Sequence, residues 1–398
     1  MKKIFGFIFL INLLVVFLYA ESFELQNVIN KKKFQFYFPN KKIEQIDIIN
    51  CAKLKKGLRP KFWPDRIPFC IGANTKANEV YYIYYNSFLN KQIITINNKA
   101  FKKIADLCVN QLGEIFVIDE AAAKLFIFKV SAALKSAELV QELNINEPKR
   151  CEINKYGTAV YVIDKNNNLN IFRKMGKEFV LKDVHKLNNN NFIVNPIRDI
   201  TISRDDFIYL LTEKNIYKLN YKAEKIWKKP VKEDYSALEN TFYGDLLLLN
   251  SKDKVVDKFT SELDYLASLD LKHLYKDTPK DITVYDTFGY VAVNAKNFGA
   301  YFGLMNEVKG LKVEKKKTPA SSFYEISFQI TMPSKITLTI FDQNGTKIED
   351  ILIKKIFKSG THKVFWRSNL KKYSVKIKGK ALYSVTNKFE KEIQVTLD

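Results

Sequence analysis

Hydrophobic positions along this chain fall into short runs rather than helical stripes. Six runs recur between residues 80 and 304: 80–84 (VYYIY), 115–119 (IFVID), 160–164 (VYVID), 208–212 (IYLLT), 245–249 (DLLLL) and 290–294 (YVAVN). Each is built from β-branched, aliphatic and aromatic residues and lies between turn formers, which predicts a buried β-strand. Most runs follow a second apolar stretch that ends in a turn. These lead-ins are Ile104-Ala105-Asp106-Leu107 to Gly113, Cys151-Glu152-Ile153 to Gly157, Ile197-Arg198-Asp199-Ile200 to Asp206, and Asp281-Ile282-Thr283-Val284 to Gly289. A third strand follows a polar turn, as in Leu125-Phe126-Ile127-Phe128, Leu169-Asn170-Ile171-Phe172 and Ile216-Tyr217-Lys218-Leu219. The unit is about 35–48 residues long, the length of a four-stranded propeller blade.

A single blade leaves both faces of its sheet uncovered, and stacking blades around an axis covers them. About six units fit before residue 305, so the fold expected is all-β, a roughly six-bladed β-propeller over residues 21–312. Residues 23–38 contain strand-forming runs outside the six units and are expected to close the ring. The charged stretch 313–319, with Pro319, reads as a linker. Beyond it the alternation becomes regular, with strands expected at 323–330, 336–341, 347–353, 362–366, 373–377 and 393–397. Asn344-Gly345 makes one hairpin turn. Short strands at this spacing over residues 320–398 predict an immunoglobulin-like sandwich.

Two resemblances sit on these residues. The pattern of apolar-Asp-apolar, turn glycine, Ile/Val-Tyr/Phe-Val-Ile-Asp and a third strand resembles NHL-type and TolB-like six-bladed propellers. It departs at Asp205-Asp206, which stand where other units have the turn glycine. That resemblance implies the fold and leaves function open, since propellers serve as binding modules, scaffolds and enzymes. The string PSKITLTIFDQNGTKIEDIL, with FKSGTHKVFWRSN after it, resembles the Ig-like domain of the flagellar hook-capping protein and related secretion-tail modules. It implies a spacer, anchor or sorting accessory. Trp366 is expected to pack in the sandwich core.

The N-terminus changes the compartment. Met1-Lys2-Lys3 precedes an apolar stretch from Ile4 to Tyr19, and Ala20 offers a small residue for cleavage. Residues 1–20 therefore read as a signal peptide, the alternative being an uncleaved anchor. The expected product is an exported protein, periplasmic, cell-surface or extracellular, with no integral membrane span after cleavage. Four cysteines remain, too few for a disulfide framework. Export permits a Cys51–Cys70 bridge, while Cys108 and Cys151 read as buried apolar residues.

Composition adds a net charge of +22, from 65 Lys+Arg against 43 Asp+Glu. Such a balance makes an anionic polymer a possible partner, or it is simply a solvated lysine surface. Arginine, the residue suited to bidentate phosphate reading, is scarce, and export argues against nucleic acid. Catalytic motifs are absent: no GxSxG, P-loop, GxGxxG or HExxH, and no cofactor is implied. His185, His273 and His362 are far apart in sequence and lack metal-ligand spacing. Asp119 and Asp164 end equivalent strand runs. They are either propeller-mouth acids, with His185 or His273 as companions, or residues that bond their own turns. The function expected is a non-catalytic binding or scaffolding protein of the cell envelope or surface. Its partner would be an envelope or surface protein or glycan. The competing expectation is a propeller hydrolase or lyase with a composite site at the channel mouth.

Overall fold

The computed structural model describes residues 34–37, 47–52, 69–83, 101–131, 136–189, 192–193, 195–272, 278–285, 290–295, 298–303, 307–317, 322–367, 372–382 and 388–396. Residues 1–20, expected as a signal peptide, and His273 lie outside them. Every described element is a strand. Among the described residues no helix is long and apolar enough to cross a membrane.

The described residues divide into two compact units, one within residues 35–301 and one within residues 302–398. In the first unit, β1 (Phe34–Tyr37) precedes blade I, which holds β2 (Ile48–Ala52), β3 (Phe69–Asn74) and β4 (Glu79–Ile83). Blade II has β5 (Ile104–Val109), β6 (Glu114–Asp119), β7 (Lys124–Val130) and β8 (Ala137–Asn144). Blade III has β9 (Pro148–Ile153), β10 (Ala159–Asp164), β11 (Asn168–Met175) and β12 (Glu178–Lys186). Blade IV has β13 (Ile197–Ile202), β14 (Ile208–Thr212), β15 (Asn215–Leu219) and β16 (Lys225–Pro230). Blade V has β17 (Tyr235–Asn240), β18 (Leu246–Asn250), β19 (Val255–Phe259) and β20 (Tyr265–Asp270). Blade VI has β21 (Asp281–Tyr285), β22 (Tyr290–Ala295) and β23 (Phe298–Gly303), with β1 as its fourth, outermost strand.

The blades form a ring. The first strands touch in sequence, β2 to β5, β9, β13, β17 and β21, and β21 returns to β2. This closed cycle makes the unit a six-bladed β-propeller with the first strands innermost. The second strands are wholly buried in blades I to V, because each lies between two strands of its own sheet and two neighbouring blades. Outer strands such as β12 and β16 alternate instead or are mostly exposed. In blade I the described part of the first run, residues 80–83, falls on the third strand, not the second. The second strand there is Phe69–Asn74, whose Gly72 and Ala73 dilute the apolar signal. The turn between first and second strands needs a left-handed residue. Gly113, Gly157 and Gly244 supply it, and in blade IV Asp206 does so at φ 58°.

Cys51 and Cys70 stand directly opposite each other on β2 and β3 and form a disulfide, whereas Cys108 and Cys151 are buried free thiols. The bridge closes a loop of 19 residues in sequence separation. Replacing both cysteines by alanine should lower stability by about 3 kcal/mol, the closure entropy of such a loop. A urea midpoint shift on the oxidised chain measures it.

In the second unit, β24 (Val308–Lys317), β25 (Ser322–Ile330) and β28 (Gly360–Trp366) form one sheet. β26 (Ser334–Phe341), β27 (Lys347–Phe357), β29 (Lys372–Ala381) and β30 (Lys388–Thr396) form the other, in the order β27-β26-β29-β30. Ile326, Phe328, Ile336, Leu338, Val375 and Ile377 fill the space between them, making a β-sandwich. Trp366 is buried there edge-on to Tyr373 at 5.0 Å, and its Nε1 donates to Glu349 Oε2 at 2.9 Å. Residues 313–317, expected as linker, are the end of strand β24. Val308, Leu311 and Val313 turn inward, and Glu314 of the lysine-rich segment pairs with Lys312 and Lys316. Gly379 leaves room for the Phe389 ring, which lies against its α-carbon across the β29–β30 pair.

Candidate functional site: the axial carboxylates

The innermost strands carry acidic groups to the centre of the propeller. At one level these are Asp106, Asp199 and Asp281, on blades II, IV and VI. The matching positions on blades I, III and V hold Ile48, Arg150 and Ala237. Two residues further along each strand the alternation reverses: Asn50, Glu152 and Glu239 stand on blades I, III and V, against Cys108, Thr201 and Thr283.

The three aspartates make the same pair of bonds. One oxygen accepts the amide of the following residue: Leu107, Ile200 or Ile282, each at 2.8 Å. The other accepts an amide from the next blade. Asp106 accepts Cys151 N at 2.9 Å, Asp199 accepts Leu238 N at 2.6 Å, and Asp281 accepts Ile49 N at 2.8 Å. The second level adds further links, including the blade pairs I–II and V–VI that the aspartates leave unjoined. Asn50 Oδ1 accepts Val109 N at 3.1 Å, and the hydroxyl of Thr201 donates to Glu239 Oε1 at 3.0 Å. Cys51 N donates to Thr283 Oγ1 at 3.2 Å, and Glu239 also accepts from Val284 and Thr283. Edge amides of innermost strands have no strand partner, and these side chains satisfy them.

The electrostatics follow from depth. Burial pushes Asp106 up to about 6, against the pull of Arg150. Burial raises Asp281 to about 7, with the charge of Asp106 adding to it. Glu239 rises to about 7 by burial, with its hydrogen bonds opposing. Asp199 and Glu152 are also held well above the ordinary range, first by burial and then by Asp281 and Glu239 respectively. All five retain partial solvent exposure. Arg150 directs Nε to the carbonyl of Arg198 and Nη1 to that of Lys149, at 2.8 Å for the latter. The ring can therefore hold and exchange protons near neutral pH. Among the described residues no three His, Cys, Asp or Glu side chains are placed to hold a metal ion.

The residues singled out in the sequence lie elsewhere. Asp119 and Asp164 end the second strands of adjacent blades, where Asn74, Thr212 and Asn250 stand on blades I, IV and V. Asp119 is fully buried and accepts three amides: Lys102 N at 2.6 Å, Lys103 N at 3.0 Å and Ala122 N at 2.9 Å. Asp164 accepts Asn166 N, Asn168 N and Asn168 Nδ2 at 2.8, 2.9 and 2.8 Å. Both bind turn backbone. His185 is on the outermost strand β12, opposite Leu169, which in turn faces Ile163. That places it roughly 10 Å from the second strand at the usual strand spacing. The structure brings none of the three together. The axial acids were visible in the sequence only as the aspartate inside an apolar lead-in, a pattern that marks a strand without saying where its edge faces.

No family model matches the chain, and no curated protein does. Solved structures do align. A catalytically inactive virginiamycin B lyase from Staphylococcus aureus with quinupristin superposes at TM-score 0.47 and 13% identity, covering 69% of this chain and 99% of that one. The selenomethionine-substituted enzyme from the same organism gives 0.43 and 11%, covering 74% and 95%. A streptogramin B lyase gives 0.43 and 12%, covering 68% and 96%. No residue role is carried across from them.

Proposed function

We propose that this chain is an exported, non-catalytic binding or scaffolding protein of the cell envelope or surface. The propeller carries recognition, and the C-terminal sandwich, read as Ig-like, is its spacer, anchor or docking tail. The observation that supports this reading is the commitment of the axial acids: Asp106, Asp199 and Asp281 each use both oxygens on backbone amides that hold the ring together. An acid so engaged is a structural group, and a rigid closed ring is a suitable platform for loop-borne recognition.

A second reading, an exported propeller hydrolase or lyase, is favoured by one observation. Glu239 and Asp281 titrate near 7, where proton transfer is most effective. One experiment separates the two. The chain from Glu21 to Asp398 is incubated with peptidoglycan, lipopolysaccharide and acidic polysaccharide, and both retention and released fragments are measured. Saturable retention without product is the result expected. Turnover lost in Glu239→Gln or Asp281→Asn would establish the enzyme instead, and neither retention nor turnover would remove the binding reading. The mass of the exported protein should begin at Glu21; a mass retaining residues 1–20 would make that segment an anchor.

A further inference from the structure

On the outer face of the four-stranded sandwich sheet, charge is neutralised row by row except at one end. Ser334, Ile336, Leu338 and Ile340 of β26 point into the core, so Lys335, Thr337 and Thr339 define the outer rows. In the Thr339 row, Lys376 pairs with Glu392, and Thr339 donates to Asp350. In the Thr337 row, Lys378 pairs with Glu390 at 3.2 Å. The Lys335 row has no acid: Ile356, Lys335 and Lys380 stand side by side across three strands, and the backbone partner of Lys380 on the fourth is residue 388, a lysine in the sequence. Directly opposed like charges destabilise a sheet, and this one has placed carboxylates on the same face two residues away. Ile356 is 60% exposed at the end of this row, and Ile353 is 68% exposed on the same edge strand, flanked by exposed Lys354 and Lys355. Lysines and the bulge at Lys354 protect an edge from pairing, but two exposed isoleucines work against that protection.

We propose that this end of the sheet docks on an anionic lipid surface. The ammonium groups of Lys335 and Lys380 meet phosphate headgroups, and Ile353 and Ile356 enter the boundary between headgroups and acyl chains. Charge complementarity selects an anion, and the isoleucines select a lipid surface over a soluble polyanion, which offers them no apolar phase. The inference concerns the sandwich and does not depend on what the propeller recognises.

The test is co-sedimentation of the chain from Glu21 to Asp398 with vesicles of phosphatidylcholine alone or mixed with phosphatidylglycerol, with dextran sulfate binding measured in parallel. Binding should require phosphatidylglycerol. It should weaken about 25-fold in Lys335→Gln/Lys380→Gln, about fivefold per lysine. In Ile353→Ser/Ile356→Ser it should weaken by about tenfold, with dextran sulfate binding unchanged. All four sites are on the surface, and an unaltered melting temperature verifies folding. Equal binding to neutral vesicles, parental binding by the lysine variant, or an isoleucine variant that sediments like the parent would overturn the proposal. The last result with strong dextran sulfate binding would leave a charge-only polyanion surface. Retention of envelope polymers by the propeller should survive all four substitutions, so failure here is separable from failure there.

Discussion

Raising the pH from about 5 to about 8 should lower the melting temperature of the propeller by about 6–12 °C, whereas most proteins hold or gain stability over the lower part of that range. The cause is the axial ring. Asp106, Glu239 and Asp281 have folded-state values of about 6, about 7 and about 7, against ordinary values near 4 in the unfolded chain. Between the two values the folded state holds more protons. Its advantage is complete below about pH 4 and is lost as the pH rises through about 7. A tenfold difference in proton affinity between the folded and unfolded states is worth about 1.4 kcal/mol, but the groups share one field and lose protons in succession, so about 3 kcal/mol in total is expected. Glu152, Asp199, Arg150, Thr201 and Thr283 complete the surroundings and hold the same field in place. Surface carboxylates held low by lysines, such as Glu120, act with the opposite sign and only below their ordinary range. Thermal melts by circular dichroism across this range measure the slope. Asp281→Asn and Glu239→Gln should flatten it. A melting temperature that climbs from pH 5 to 8 would mean the acids are ionised throughout and the ring is held by something else.

Asp119→Ala should be among the most damaging single changes in the chain, costing about 4 kcal/mol, although the residue touches no channel. Its carboxylate is fully buried and accepts the amides of Lys102, Lys103 and Ala122. Truncation leaves three amide donors without their acceptor, and each hydrogen bond to a charged group is worth about 1.5–3 kcal/mol before the protein relaxes and water reaches the freed amides. Asp164→Ala should cost about half as much, since one of its three partners is the side chain of Asn168, which can turn to water. Urea unfolding of the two variants reads the difference. Parental stability in Asp119→Ala, with loss of binding or turnover, would reassign Asp119 from the turn to a functional site.

Strand identity was legible because it is local. The runs that became β6, β10, β14 and β18 are buried on both faces, so unbroken apolar residues mark them without reference to any partner. Turn chemistry was legible for the same reason: a left-handed position selects glycine or, at Asp206, a short polar side chain. The phase of blade I was not, because Phe69-Cys70-Ile71-Gly72 becomes a second strand only through pairing with β2 and β4. Residues 313–317 read as a hinge from their charge, yet they pair with β25, with Lys316 beside Glu314 and Val313 packed on the sandwich core, and the strand continues.

Charge and alternation along the chain thus sufficed for an all-β protein of propeller blades followed by a second β unit. Closure of the ring decided the rest. Asp106, Asp199 and Asp281 lie more than 80 residues apart from one to the next in sequence, and each bonds an amide that belongs to another blade. A single strand can show that an aspartate interrupts its apolar run. Only when the ring closes do those strand edges face one another, and burial there raises the acids toward neutrality and turns them into links between blades.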